Sequence, residues 1–295
     1  VRRRWLLGAG AALAGAGWFL WPQGAAPVAA TLPRPTGPLR TYHLGHSLVG
    51  RDMPAMLAAM AGHDHASQLG WGASLRNHAT GEVPGFAVEN DHPDHLPAET
   101  ALAGGGFDAV VLTEMVELRD AIRWHDSARW LAHWAGVARA GNPGVRVYLY
   151  ETWHRLDDPE GWLQRIDADL SRRWLDEVLR PAMARGAGDI HLIPGGQVMA
   201  AAARAIEAGG VPGLTSRRDL FQPGDPIHFS DLGAWLMAVT HHAVLYHRLP
   251  AAAPVARADG SPADLPSEPA LTRLQEVVWA TIRRYPETGL SGTPG

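Results

Sequence analysis

Five short apolar runs, each followed by a stretch of different periodicity, constrain this chain more than any other feature. Residues 40–44 run apolar into Gly45, and residues 66–69 run into Gly70. Residues 107–112 read Phe-Asp-Ala-Val-Val-Leu, continuous and β-branched, and residues 145–150 and 189–193 follow suit. Strands buried on both faces read this way, without strict alternation. Between them lie helical patterns over residues 53–60, 127–140, 162–179, 198–208 and 231–246. The second places Trp130, Leu131, Trp134 and Val137 on one face and stops at Asn142-Pro143-Gly144. Pro181 is expected to end or kink the third. Strands separated by helices imply a parallel sheet with right-handed crossovers. The expected fold is therefore α/β, a three-layer α/β/α sandwich with a mainly parallel, flavodoxin-like sheet of about five strands. Chemistry in such sheets sits at the carboxyl ends of the strands.

The ends of the chain read differently. Arg2, Arg3 and Arg4 precede an uncharged apolar run from Trp5 to Trp21, and Val28-Ala29-Ala30 fits a signal-peptidase site. Residues 1–30 are expected to be a signal peptide, with a twin-arginine look, or a retained N-terminal membrane anchor. The expected location is exported, either periplasmic or anchored facing the periplasm. Residues 31–38, rich in proline, read as a linker. The working domain is expected over residues 39–250. Residues 251–295 read as a C-terminal extension with one helix near 271–284. No internal repeat and no coiled-coil heptad interrupts this plan.

Composition removes whole classes of chemistry. With 46% apolar and 19% charged residues over 295 positions, the chain is globular in character. It contains no cysteine, which excludes disulfides, thiol nucleophiles, zinc fingers and iron–sulfur clusters. All 26 basic residues are arginine, which excludes the P-loop lysine, the kinase lysine and Schiff-base chemistry. A net charge of −4 gives no electrostatic case for nucleic acid.

Two segments carry a constellation. Gly45-His46-Ser47-Leu48 follows the first strand, where a serine on a tight turn exposes its hydroxyl and its own N–H can face an oxyanion. Far downstream, Asp225-Pro226-Ile227-His228 precedes a helix, and an Asp three residues before a His can hold the imidazole in the tautomer that deprotonates a serine. Taken singly, Ser47 also reads as a turn serine capping the helix near Met53, Asp225 as a turn residue after Pro223-Gly224, and His228 as a packed loop histidine. Together, in this order, the two blocks resemble the SGNH or GDSL hydrolase superfamily of serine esterases and deacylases, over roughly residues 39–247. His46 stands where that family has Asp, and Gly233 trails the second block as expected.

The resemblance implies Ser47 as nucleophile, His228 as base and Asp225 as its partner. It also implies an oxyanion hole built from the Ser47 and Gly72 N–H groups. The family's third donor is an asparagine after the third strand. This chain has Thr113-Glu114-Met115 there, so Asn77 or a protonated Glu114 is the candidate replacement. No cofactor is implied.

For the substrate, Trp71, Glu151 and Trp153 follow strands and are candidate contacts; a tryptophan there can stack on a sugar ring or line an acyl pocket. The stretch over residues 80–100 reads as a long polar loop, a lid or a substrate wall. Fifteen histidines invite a metal, but none shows a ligand spacing such as His-Glu-x-x-His, so no metal is expected. The expected function is exported hydrolysis of O-acyl, chiefly O-acetyl, esters, with an envelope carbohydrate as substrate by family analogy. The rivals are a polysaccharide O-acyltransferase with the same triad and an exported glycan-binding protein that lost the hole. The expected partners are a small-molecule or carbohydrate ester, and a membrane through the N-terminal segment.

Overall fold

The computed structural model of the protein describes residues 28–290. The expected signal segment, up to residue 27, lies outside the described residues. Five strands form one parallel sheet: β1 (Thr41–His46), β2 (His65–Gly70), β3 (Ala109–Leu112), β4 (Arg146–Glu151) and β5 (Ile190–Pro194), in the order β2-β1-β3-β4-β5. That order is the flavodoxin-like one, and each strand lies where an apolar run stood in the sequence.

Helices cover both faces, making three layers. The chain order is α1 (Asp52–Ala61), α2 (Leu75–Thr80), α3 (Phe86–Glu89), α4 (Ala98–Ala103), α5 (Leu118–His125), α6 (Ser127–Gly141), α7 (Trp162–Asp169), α8 (Arg180–Ala182), α9 (Gly195–Glu207), α10 (Asp231–Tyr246) and α11 (Glu268–Ile282). Strand residues alternate between two cores, as period-2 geometry requires. Ala109, Val111, Tyr148, Tyr150 and Ile193 face the core shared with α1, α9, α10 and α11. Val110, Leu112, Val147, Leu149 and Leu192 face the core under α4 and α6. Helix α10 is buried along nearly its whole length. The segment beyond residue 250 sends Ala270, Leu274, Val278 and Ile282 of α11 into the first of these cores.

Two expectations are corrected. The helix begun at α7 does not stop at Pro181. It widens to i→i+5 winding over Leu170–Leu179, with the Arg180 N–H on the Leu175 carbonyl, then runs through α8 until Gly186, at φ +85°, breaks it. A proline ring clashes with the carbonyl four residues back and cannot donate to it; the wider winding relieves both demands. The stretch over residues 80–100 is not a simple polar loop. It holds α3 and the start of α4, and it covers the free edge of β2. Ser67 N–H donates to Asp94 O at 2.9 Å and Leu96 N–H to Ser67 O at 3.2 Å. The Asn90 carboxamide closes on both backbone groups of Leu69 at 2.9 and 2.8 Å. An open edge strand invites pairing with other chains, and this segment removes the invitation.

Residues 28–38 cross the opposite pole. Ala30 N–H meets Asp189 before β5, Arg146 at the start of β4 donates to Pro33 O, and Leu32 N–H donates to Gly289 O. Among the described residues no helix is long and apolar enough to cross a membrane.

Candidate active site

The turn after β1 is built for close packing. Gly45 lies so near β3 that an added Cβ would stand 2.5 Å from Thr113 Cγ2 and 3.0 Å from Val49 Cγ2. Beyond it the chain reverses: Val49 N–H donates to His46 O at 2.8 Å and Gly50 takes φ +60°. A side chain at Gly50 would also crowd the Phe229 ring, 3.3 Å away. That contact seats the downstream loop on the serine turn.

Ser47 and His228, 181 residues apart, meet there. Ser47 Oγ lies 2.9 Å from His228 Nε2, and His228 Nδ1 lies 2.7 Å from Asp225 Oδ2. The other Asp225 oxygen accepts the N–H groups of Ile227 and His228 at 2.8 and 2.9 Å. Partial burial alone would raise the Asp225 carboxyl. The amide and ring bonds of His228 and the Ile227 amide outweigh it and hold the pKa at about 2. Asp225 is thus ionised at neutral pH and accepts from Nδ1–H, which leaves Nε2 to take the Ser47 proton. The loop is clamped from β4: Trp153 Nε1–H donates to Ile227 O at 2.9 Å, and Leu156 N–H donates to Pro226 O at 2.8 Å.

The structure gives His46 a use of its own. Fully buried, its Nε2–H donates to Glu114 O at 2.8 Å, while Nδ1 accepts the Leu48 N–H at 3.3 Å. Burial pushes its pKa down to about 4, against the Glu114 carbonyl bond that favours the charged form. A neutral imidazole therefore ties the serine turn to the end of β3. An aspartate there would set a carboxylate against a carbonyl with no proton between them. His46→Asp is expected to destabilise the fold by at least about 2 kcal/mol, since two buried polar groups lose partners. His46→Asn, which keeps a donor, is expected to lose less. Urea unfolding of the two variants beside the parent checks the order; equal losses would contradict it.

A second brace went unread in the sequence. Ala98 N–H donates to Gln68 Oε1 at 2.9 Å, Gln68 Nε2 to His78 Nδ1 at 2.9 Å, and His78 Nε2 to Gly45 O at 2.9 Å. Burial holds His78 at a pKa of about 4, so it too stays neutral. The spacing of Gln68 and His78 carries no local signal, because the chain forms only when α2 folds back over β1.

The oxyanion candidates divide. Gly72, with φ +53°, has open space around its Cα, whereas an added Cβ at Gly70 would strike Val83 at 2.3 Å. Among the described residues neither the Ser47 nor the Gly72 N–H donates to a backbone carbonyl outside the regular elements. Asn77 is committed elsewhere. Its Oδ1 accepts Ser74 N–H and Oγ–H at 3.0 and 2.7 Å, capping α2, and its Nδ2 donates to Glu82 O at 3.0 Å.

Glu114 holds the start of α2 and the end of β3 through one carboxyl oxygen. It is fully buried, and its Oε1 accepts the N–H groups of Met115 and Leu75 at 2.9 and 3.3 Å. Burial raises its pKa to about 7 against those bonds.

Two of the three substrate candidates are also corrected. Glu151 is buried beneath the start of α9, accepting from the Gln197 backbone and side chain at 3.1 and 3.3 Å, and burial raises it to about 8. Trp153 is 1% exposed, packed near Phe221 and Phe229. Neither presents a surface to a substrate. Trp71 does, with 55% of its surface exposed. His63, His241 and His242 sit in the core with hydrogen-bond partners: His63 on the Tyr246 hydroxyl, His241 on Met237 O and His242 on Arg248 O, while half-buried His65 lies beside Asp94.

No family model matches the chain, and no curated protein matches it. Solved structures to which it is similar include the YxiM protein of Bacillus subtilis, at 16% identity and TM-score 0.44, covering 69% of this chain and 55% of that one. Others are a GDSL-like lipase from Parabacteroides merdae, at 13% and 0.42 over 73% and 95%, and the lipase Lip_vut3 from a goat rumen metagenome, at 12% and 0.37 over 70% and 98%. The chain thus spans little more than half of the first and nearly all of the other two. Values this low say nothing of chemistry, so the site is read from its own geometry; two of the three proteins carry lipase names.

Proposed function

We propose that the chain is an exported serine hydrolase of the SGNH type that cleaves O-acyl esters, O-acetyl groups foremost, from an envelope carbohydrate. The observation that carries this is the unbroken line from Asp225 Oδ2 to His228 to Ser47 Oγ, at 2.7 and 2.9 Å. His228 takes the Ser47 proton as Oγ attacks the ester carbonyl, and Asp225 steadies the imidazolium. The Ser47 and Gly72 amides receive the oxyanion. The proton on His228 passes to the leaving alcohol as the C–O bond breaks, leaving an acyl group on Ser47. Water, deprotonated by the same imidazole, then releases the acid.

Exposure of the relay favours hydrolysis over acyl transfer to a sugar hydroxyl. The His228 and Asp225 side chains are 39% and 29% exposed, so water reaches the base. Export rests on the arginines and apolar run before residue 22. It is compatible with the strap over residues 28–38, which meets the body at the strand starts, away from Ser47. The test is release of p-nitrophenol from p-nitrophenyl acetate by the full chain, with fluorophosphonate labelling of Ser47. Absence of both would return the chain to the glycan-binding alternative.

A further inference from the structure

Beside Gly72 lies a flat aromatic surface held in one orientation. The Trp71 Nε1–H donates to Glu89 Oε1 at 2.7 Å, and its backbone N–H to Pro84 O at 2.8 Å. One face of the indole rests on Gly85. An added Cβ there would stand 2.3 Å from Cδ2 and 2.5 Å from Cε2, and Gly85 has φ +66°, so glycine is required twice over. Glu89 itself looks into a cleft of about 520 Å³ that Arg51, Asp52, Asp91, His92 and Arg257 also line. Arg51 lies four residues beyond Ser47 in the chain and ties the segment around Glu89 down, donating to Val88 O and Asp91 O.

We infer that Trp71, Gly85 and Glu89 form the subsite for the alcohol half of the substrate, and that this half is a sugar ring continuing into the cleft as an oligosaccharide. This rests on the ester-hydrolase reading above and gives that site its specificity. An immobilised ring with one free face suits the C–H face of a pyranose. A carboxylate at the ring's edge suits hydroxyl donors, which an acyl chain does not carry. Carboxylates outnumber the two guanidinium groups along the cleft, and polar walls of this kind suit a polyhydroxylated chain and not a hydrocarbon one. Trp71 directly precedes Gly72, the second oxyanion candidate, so a sugar resting on the indole would lie beside the reacting ester.

The test compares partially O-acetylated xylotetraose with triacetin, an ester without a ring. Trp71→Ala is expected to raise KM for the sugar ester about tenfold, a loss of about 1.4 kcal/mol, with kcat within about twofold and triacetin hydrolysis unchanged. Trp71→Phe, which keeps a ring, is expected to recover most of the loss, and Glu89→Gln to fall between. An equal loss on both esters would mean that Trp71 only shapes the loop, and an unchanged KM would mean that no sugar rests on it; either overturns the subsite. Calorimetry with unacetylated xylotetraose separates this from failure of the hydrolase reading. If no ester is cleaved, binding that Trp71→Ala abolishes still upholds the subsite, and no binding to the parent chain removes it.

Discussion

Ser47→Ala is expected to lower the hydrolysis of p-nitrophenyl acetate by about 10⁴-fold or more, and His228→Ala by a similar factor. Each removes one end of the 2.9 Å contact through which the proton leaves Oγ. Because the two groups act in one step, the double variant should be hardly slower than either single one. Asp225→Asn is a finer probe. Its Oδ1 still accepts the Ile227 and His228 amides, so the loop keeps its shape. Its amide, however, faces Nδ1 with a donor, favouring the tautomer that cannot take the serine proton, and kcat is expected to fall about 10³- to 10⁴-fold. Residual activity within tenfold of the parent for Ser47→Ala would sink the assignment, since a surface histidine or arginine would then be doing the chemistry.

The second large effect concerns stability, and it follows from the buried histidines. Burial pushes His46, His63, His78, His191, His241 and His242 from 6.5 down to about 4, and holds His43 well below its ordinary value. A histidine whose pKa is depressed in the fold takes up its proton on unfolding. Its contribution is complete above pH 6.5 and is lost as pH falls toward 4. Each is worth about 3 kcal/mol at the acid end, so charging a few of them exceeds a typical stability of about 5–15 kcal/mol.

Glu114 and Glu151 work the other way. Their pKa values, raised to about 7 and about 8 by burial, give a contribution present below 4.5 and lost as pH rises through those values. The midpoint of thermal unfolding, followed by circular dichroism, is therefore expected to peak between pH 6 and 7. It should fall steeply by pH 5, and more gently from pH 7 to about pH 8, levelling beyond. A midpoint that stays level from pH 7 down to 4.5 would show that these imidazoles are hydrated in solution.

The strands and the Ser47, Asp225 and His228 contact share a reason for being legible in the sequence. A strand buried on both faces must be apolar throughout, and a nucleophile at its carboxyl end must sit on a tight turn, so 107–112 and Gly45-His46-Ser47 announce themselves locally. Asp225 and His228 are three residues apart and bond within their own loop. The helix through Pro181 was misread for a related cause: a local rule about proline held only for i→i+4 winding, and the chain adopted another.

By itself, then, the sequence determined the five strands and their buried character, the helices between them and the Ser47, Asp225 and His228 set. Only the tertiary structure decided which polar side chains face solvent. Glu151 and Trp153 follow β4 as substrate contacts would, yet α9 and the loop at residues 221–229 close over them. Asn77 turned inward to cap its own helix, and Glu114 took two backbone amides in the core. His46, Gln68 and His78 became the braces of the serine turn. The physical reason is one of range. Periodicity and turn chemistry act over a few residues and are written in order along the chain. The burial of a polar group depends on partners tens of residues away, which come within hydrogen-bonding distance only once the layers have packed.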